Sequence, residues 1–323
     1  MNIYGHEEIK TDLQLLLQQK KLPHALLFSG IEGIGKLLIA KQLAKSLLCK
    51  EQDIACDNCL SCKLFAEKTH PDFYFVKPEG KAKPLIKIEQ IRNMQASISL
   101  SPYLSDKRVV IINDAQYLND AAANSLLKTL EEPVGDVFFI LLTANKEMLL
   151  PTILSRCMKI YFAPLKNDDV AMILQEKLDI DSKKAHVIAR LSGGSVKKAM
   201  QFVDDNALML RQKAQILLIK NFDVRQMWSF VDEISGLDKV QVLEVISHLQ
   251  LLIRDLLIIN VNKHSEIIYN QDILEELINV SNQYSKDMLL AKMVLVEDTI
   301  KKLNSNADVK LTLQKFMLDW QKR

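Results

Sequence analysis

The segment His24–Leu48, HALLFSGIEGIGKLLIAKQLAKSLL, decides how the rest of the chain is read. Ala25 to Phe28 is a short apolar run that predicts a buried strand. A glycine-rich turn follows, then an amphipathic helix carrying Leu38, Ile39, Leu43 and Leu47. Strand, loop and helix are the context a phosphate-binding loop requires, and Gly30-x-x-x-x-Gly35-Lys36, with Gly33 inside it, has the spacing. Glycines let the backbone curl so that N–H groups face an anion at the start of the helix. Lys36 would add a point charge for the outer phosphates. The following position normally carries the hydroxyl that ligates Mg²⁺, and Leu37 has none.

The same deficit recurs downstream. Val109 to Ile112 reads as a fully buried parallel strand and ends in Asn113-Asp114. A working P-loop ATPase places an acidic pair there, the first to hold Mg²⁺ and the second to polarise water. Asn113 supplies no negative charge, and Asp114 is one methylene short of Glu. Two metal-handling positions in separate motifs are thus altered in one direction, which predicts a site that does not turn over ATP. A third strand, Val137 to Leu142, ends at Thr143-Ala144-Asn145, which reads either as a γ-phosphate contact or as a plain turn.

Residues 49–62, CKEQDIACDNCLSC, hold Cys49, Cys56, Cys59 and Cys62. Four thiolates within so short a span suit one tetrahedral zinc, and a knuckle can fold around the metal because binding free energy substitutes for a core. A redox CxxC pair would leave two thiols without a role. Unligated buried cysteines fit poorly beside Asp53, Asp57 and Asn58. No histidine or carboxylate completes an open position, so the expectation is a closed, structural site. The fifth cysteine, Cys157, stands apart.

At 323 residues the chain is long enough for two or three domains. A hydrophobic fraction of 48%, a charged fraction of 25% and a net charge of +2 are ordinary for a soluble protein and force neither nucleic-acid nor membrane binding. Met1 to Gln14 is polar and mixed, which predicts no signal peptide. The longest apolar stretch, Val240–Val261, carries Glu244, His248, Arg254 and Asp255, so it reads as a buried helix rather than a membrane span. Five cysteines without a signal peptide point to a reducing, cytoplasmic setting.

Tyr4–Gln19 reads as a first helix, Ile88–Ser99 as another, and Asp120–Glu132 as a helix capped by Asn119 or Asp120 and ended by Pro133. The last strand is expected at Ile160–Phe162, and Pro164 marks a domain boundary. Alternating strands and helices through residue 163 imply an α/β fold with a parallel sheet flanked by helices. Residues 164–206 read as a small helical domain containing Ser192 to Ser195, and 207–323 as helical throughout. Lys81, Lys83 and Lys87 share one loop, read as solvated rather than DNA-binding. On spacing alone, Arg156 is a surface ion pair before a strand.

Several of these stretches together resemble one family. HALLFSG before the loop, the four-cysteine module after it, THPD at 69–72, DAAANSLLKTLEEP at 120–133 and Ser155-Arg156-Cys157 are similar to the delta-prime subunits of bacterial DNA polymerase III clamp loaders. The resemblance is strong through residue 163 and mostly architectural beyond 195. It implies a P-loop AAA+ fold: a nucleotide-binding-like domain at 1–163, a helical lid at 164–206 and an oligomerising helical collar at 207–323. It implies gamma/tau and delta subunits, a sliding clamp and primed DNA as partners. It also implies that Arg156, in the Ser155-Arg156-Cys157 motif, is donated in trans to a neighbouring subunit's ATP site, where a guanidinium stabilises charge on the transferring phosphoryl. The lid position that is Arg in active relatives is Lys197, which makes no bidentate contact. The leading expectation is therefore a stator and arginine donor. The alternatives are a self-sufficient AAA+ motor using Asp114 as base, and a redox or zinc-sensing module.

Overall fold

The computed structural model describes residues 3–80, 84–133, 135–203, 205–220, 222–261, 267–305 and 307–321. In chain order the first elements are α1 (Glu7–Gln18), β1 (Ala25–Ser29), α2 (Lys36–Leu48), α3 (Leu60–Ala66), β2 (Phe73–Val76), α4 (Ile88–Ile98) and β3 (Arg108–Ile112). Next come α5 (Asp120–Glu131), β4 (Val137–Thr143), α6 (Pro151–Leu154) and β5 (Met158–Tyr161). Helices continue as α7 (Asn167–Leu178), α8 (Ser182–Leu191), α9 (Val196–Gln201), α10 (Asp205–Ile219), α11 (Val224–Ser235), α12 (Lys239–Val261), α13 (Leu274–Ser281), α14 (Lys286–Asn304) and α15 (Val309–Trp320). The chain separates into two compact units, Met1–Asp169 with Gly194–Lys197, and Val170–Gly193 with Lys198–Arg323.

The first unit is built on a five-stranded parallel sheet in the order β2-β3-β4-β1-β5. Every residue of β1 and β3 is buried, which is why Ala25–Phe28 and Val109–Ile112 read as unbroken apolar runs. Alternation sends Ala25, Leu27, Val110, Ile112, Phe139 and Leu141 to one face, where Ile91, Met94, Leu126 and Leu130 of α4 and α5 cover them. Intervening residues turn to the other face, where α2 packs. Asn119 caps α5, its Oδ1 accepting the Ala122 N–H at 2.8 Å.

The last strand runs Met158–Tyr161, earlier than the expected Ile160–Phe162. It is an edge strand with exposed Met158 and Tyr161, so the apolar signal lay on Phe162, which follows the strand and donates its N–H to Ser29 O at 2.7 Å.

The second unit is all helix among the described residues. Its centre is α12, whose Val242, Val245, Ile246, Leu249, Leu252, Ile253, Leu256 and Ile259 are buried. Helices α10, α13 and α14 pack on it, and α15 packs on α11 and α14. No helix among the described residues is long and apolar enough to cross a membrane.

Candidate functional site: a phosphate loop and a cysteine quartet on one helix

Helix α2 carries one candidate site at each end. At its start, Gly30, Gly33 and Gly35 all take positive φ, the conformation that favours glycine. Gly33 is required twice over, because a Cβ there would also sit 2.8 Å from the backbone nitrogen of Lys197. The loop has the curl that its sequence predicts, but its lysine, its carbonyls and its carboxylate are engaged within the chain. Lys36 Nζ donates to Gly30 O at 2.5 Å and Ile31 O at 2.7 Å. Burial pushes its ammonium below the usual lysine range, against the pull of Asp114 and Glu32.

The segment Ser195–Lys197 lies against the loop. Ser195 Oγ donates to Glu32 O at 2.7 Å, Val196 N–H to Gly33 O at 2.9 Å, and Lys197 forms an ion pair with the Glu32 carboxylate. Lys197 thus neutralises a carboxylate of the glycine loop.

Asp114 follows β3 with φ at 54°. Asn113 Nδ2 donates to its Oδ2 at 2.7 Å. Burial pushes the Asp114 carboxyl up, Glu32 adds to that, and the Gln116 side chain, Lys36 and Lys197 pull it back. The loop region therefore holds two carboxylates, Glu32 and Asp114, where a polyphosphate would bring further negative charge. At the end of β4, Thr143 is fully buried. Its Oγ1 lies 2.9 Å from Gln116 Oε1 and 3.0 Å from Asn145 O, and it accepts the Asn145 N–H at 3.1 Å.

At the other end of α2, Cys49, Cys56, Cys59 and Cys62 bring their sulfurs within 4.8 Å of one another. The Cys49–Cys59 and Cys56–Cys62 sulfur pairs each lie 4.0 Å apart. A tetrahedral zinc with Zn–S near 2.3 Å needs sulfurs about 3.8 Å apart, so the donor set fits that ion with small adjustment. Cys56 Sγ accepts the Cys59 N–H and Cys59 Sγ the Cys62 N–H, both at 3.4 Å. Such bonds favour the thiolates a metal needs. Lys45 on α2 pairs with Asp57 in the knuckle.

A buried polar node anchors the knuckle. Its histidine and its aspartate, His70 and Asp72, belong to the THPD stretch, whose chemical role the motif did not disclose. His70 Nε2 lies 2.8 Å from Ser61 Oγ and 3.3 Å from Ser105 Oγ, and both hydroxyls donate to Leu48 O, at 2.6 and 2.9 Å. His70 Nδ1 accepts the Asp72 N–H at 3.1 Å. Asp72 in turn accepts the N–H groups of Tyr103, Leu104 and Ser105, at 2.7, 2.8 and 2.7 Å. Burial raises its carboxyl, but these three N–H groups outweigh it and hold the group below the usual aspartate range. The end of α2, the start of α3 and the 103–105 turn meet at this node.

Arg156 follows α6. Its guanidinium pairs with Glu131, at the end of α5, and its Nη1 donates to Thr152 O at 2.9 Å and Ser155 Oγ at 3.3 Å. The side chain is one-third exposed, so it lies at the surface and not in the core. Cys157 is buried, and burial pushes its thiol up to about 11. Lys81 and Lys83 lie outside the described residues, and Lys87 precedes α4.

The family described as DNA polymerase III, delta subunit, matches residues 5–166. The delta' subunit of DNA polymerase III from Bacillus subtilis (strain 168) is 30% identical over 316 residues, covering 94% of this chain and 92% of that protein. The Escherichia coli (strain K12) delta' subunit is 36% identical over 186 residues, 57% of this chain and 55% of its own length. The tau subunit of Bacillus subtilis is 31% identical over 210 residues, 63% of this chain and 37% of that protein. Among solved structures, a DNA polymerase III gamma subunit-related protein of Thermotoga maritima aligns over 96% of this chain and 99% of that one, at 18% identity and a TM-score of 0.41.

Proposed function

This chain belongs to the delta-prime (delta') subunit family of DNA polymerase III, and from that premise we propose that it acts in a clamp loader as a stator that supplies an arginine to a neighbour. Its partners are the gamma/tau and delta subunits, and through the assembled complex the sliding clamp and primed DNA. Segments 164–206 and 207–323 serve as lid and oligomerising collar. The neighbour hydrolyses ATP; this chain contributes the Arg156 guanidinium, with Ser155 and Cys157 fixing the turn that carries it.

One observation supports the division of labour above others. The lysine that would meet a phosphate is bonded to the carbonyl oxygens of its own loop, while Arg156 sits at the surface. The Glu131 pair does not oppose the role, since an exposed ion pair is worth only about 0–1 kcal/mol and yields readily to a phosphate. Gly30, Gly33, Gly35 and Lys36 keep the fold of a nucleotide loop as structural elements. Cys49, Cys56, Cys59 and Cys62 hold a structural zinc, whose chemistry is to cross-link the knuckle.

The test is a reconstituted loader. Arg156→Ala should leave assembly intact and lower clamp- and DNA-stimulated ATP hydrolysis by about 10³-fold, the low end for arginines donated in trans. Full activity of that variant refutes the arginine role. Brisk hydrolysis by the purified chain alone refutes the division of labour and restores the reading of a self-sufficient motor.

A further inference from the structure

Arg156 meets three acceptors, and they are not alike. Two are neutral oxygens of the turn that carries the arginine: Thr152 O and Ser155 Oγ, both bonded to Nη1. A neutral oxygen can stay in place when an anion approaches the guanidinium. The third acceptor is the Glu131 carboxylate, paired with Nη2. A carboxylate cannot share that edge with a phosphate, because the two anions repel.

The carboxylate is held in position by the fold. Glu131 is the last residue of α5, and Arg156 follows α6. Leu130 and Ile153 are buried in one core, and α5 packs against α6. Packing therefore brings the pair together. The guanidinium is a flat fork of N–H donors that suits carboxylate and phosphate alike. A terminal phosphoryl group carries more charge than a carboxylate and offers more acceptor oxygens, so it wins the contest at that edge. Once the phosphate has left, the carboxylate is the nearest anion again. Parked on Glu131 and engaged on phosphate are thus two states of one side chain, and the anion present decides between them.

We propose that Glu131 is a positioning residue for the donated arginine: it holds the guanidinium on its own chain until the terminal phosphate of the neighbour's ATP displaces it, and takes it back when that phosphate is gone. The proposal rests on the arginine-donor reading above and adds the group that the phosphate must displace. It also fixes a sign. A residue that only buttressed the arginine would slow the neighbour when removed, whereas a competitor of the phosphate should speed it.

Two measurements test this. In the purified chain, phenylglyoxal, which condenses with a guanidinium, should modify Arg156 about threefold faster in Glu131→Gln than in wild type, read by mass spectrometry of the peptide carrying residue 156. In a loader reconstituted with gamma/tau-type and delta-type subunits, Glu131→Gln should raise kcat/KM for clamp- and DNA-stimulated ATP hydrolysis by about threefold, within the worth of an exposed ion pair. The same substitution should change nothing in an Arg156→Ala background, because it acts through the arginine. The Glu131 side chain is half exposed, so the circular dichroism melt of the variant should match the parent. An unchanged phenylglyoxal rate, or a kcat/KM that is equal or lower with assembly retained, overturns the role of Glu131 and leaves the arginine reading intact. An effect that persists in the Arg156→Ala background assigns it to the carboxylate's own charge and also overturns the proposal. Full activity of Arg156→Ala alone overturns both.

Discussion

The two ends of α2 carry inherited motifs that have gone different ways. At its C-terminal end, four cysteines come together in the arrangement their chemistry calls for, with N–H groups aimed at two of the sulfurs. At its N-terminal end, the glycine loop keeps its backbone shape while its lysine, its carbonyls and its one carboxylate are bonded within the chain. The difference teaches that a loop can keep its backbone geometry while its side chains are bonded elsewhere in the chain. A loop fold survives when its polar groups find internal partners, whereas a sulfur quartet has no internal substitute for a cation.

The strongest way to break this contrast is to attack the quartet. Purified protein should carry one zinc per chain by elemental analysis, and Cys56→Ser with Cys59→Ser should abolish it. Apparent binding free energies for structural zinc are about 10–16 kcal/mol in small peptides, so the first unit should lose several kcal/mol and become sensitive to chelators. A metal-free protein that melts at the same temperature as the zinc-loaded one would show that the knuckle needs no ion. Next in size is the node that anchors it. Asp72→Ala leaves the N–H groups of Tyr103, Leu104 and Ser105 without an acceptor and should cost about 3 kcal/mol by denaturant titration. An unchanged midpoint would mean that water replaces the carboxylate freely.

The loop end predicts smaller effects of another kind. In an ATPase, replacing the loop lysine abolishes nucleotide binding. Here Lys36→Met should register as a stability loss of about 1–2 kcal/mol, because Gly30 O and Ile31 O lose their donor. A variant of undiminished stability whose only defect is lost ATP binding, measured by calorimetry against wild type, would show that the lysine serves a phosphate after all. The smallest effect sharpens the electrostatics. Asp114 has its carboxyl raised above 3.8 by burial and by Glu32, so its ionised form is disfavoured in the fold. Asp114→Asn should therefore be more stable than wild type at neutral pH, by less than about 1 kcal/mol for so partly buried a group. The gap should close as pH falls through the folded-state value toward 3.8, where the aspartate is neutral in both states. A gap that persists in acid would assign the gain to asparagine's tolerance of positive φ instead.

Much of the frame was legible in the residues. β1, β3 and β4 are continuous apolar runs because a parallel strand covered on both faces has no polar side to show. Helix α5 announced itself by cap and stripe, and α12 by its length. Helices α3 and α6 escaped notice, being seven and four residues long and too short to display a period. The cysteine spacing disclosed a metal-sized cluster because its ligands are close in sequence. The state of the loop was not legible, since Ser195 reaches Glu32 across 163 positions of sequence. His70 and Asp72 were visible only as a family mark, because their partners, Ser61, Ser105 and the 103–105 turn, are assembled by the fold. Arg156 was read on spacing as an ion pair, and Glu131 is that partner.

The thirteen residues of α2 make a rod about 20 Å long with a thiolate cage at one tip and a glycine hairpin at the other. Such a rod offers an optical handle. Cobalt bound by the four cysteines would colour the protein, and its visible bands would report the geometry of the sulfur cluster at that tip.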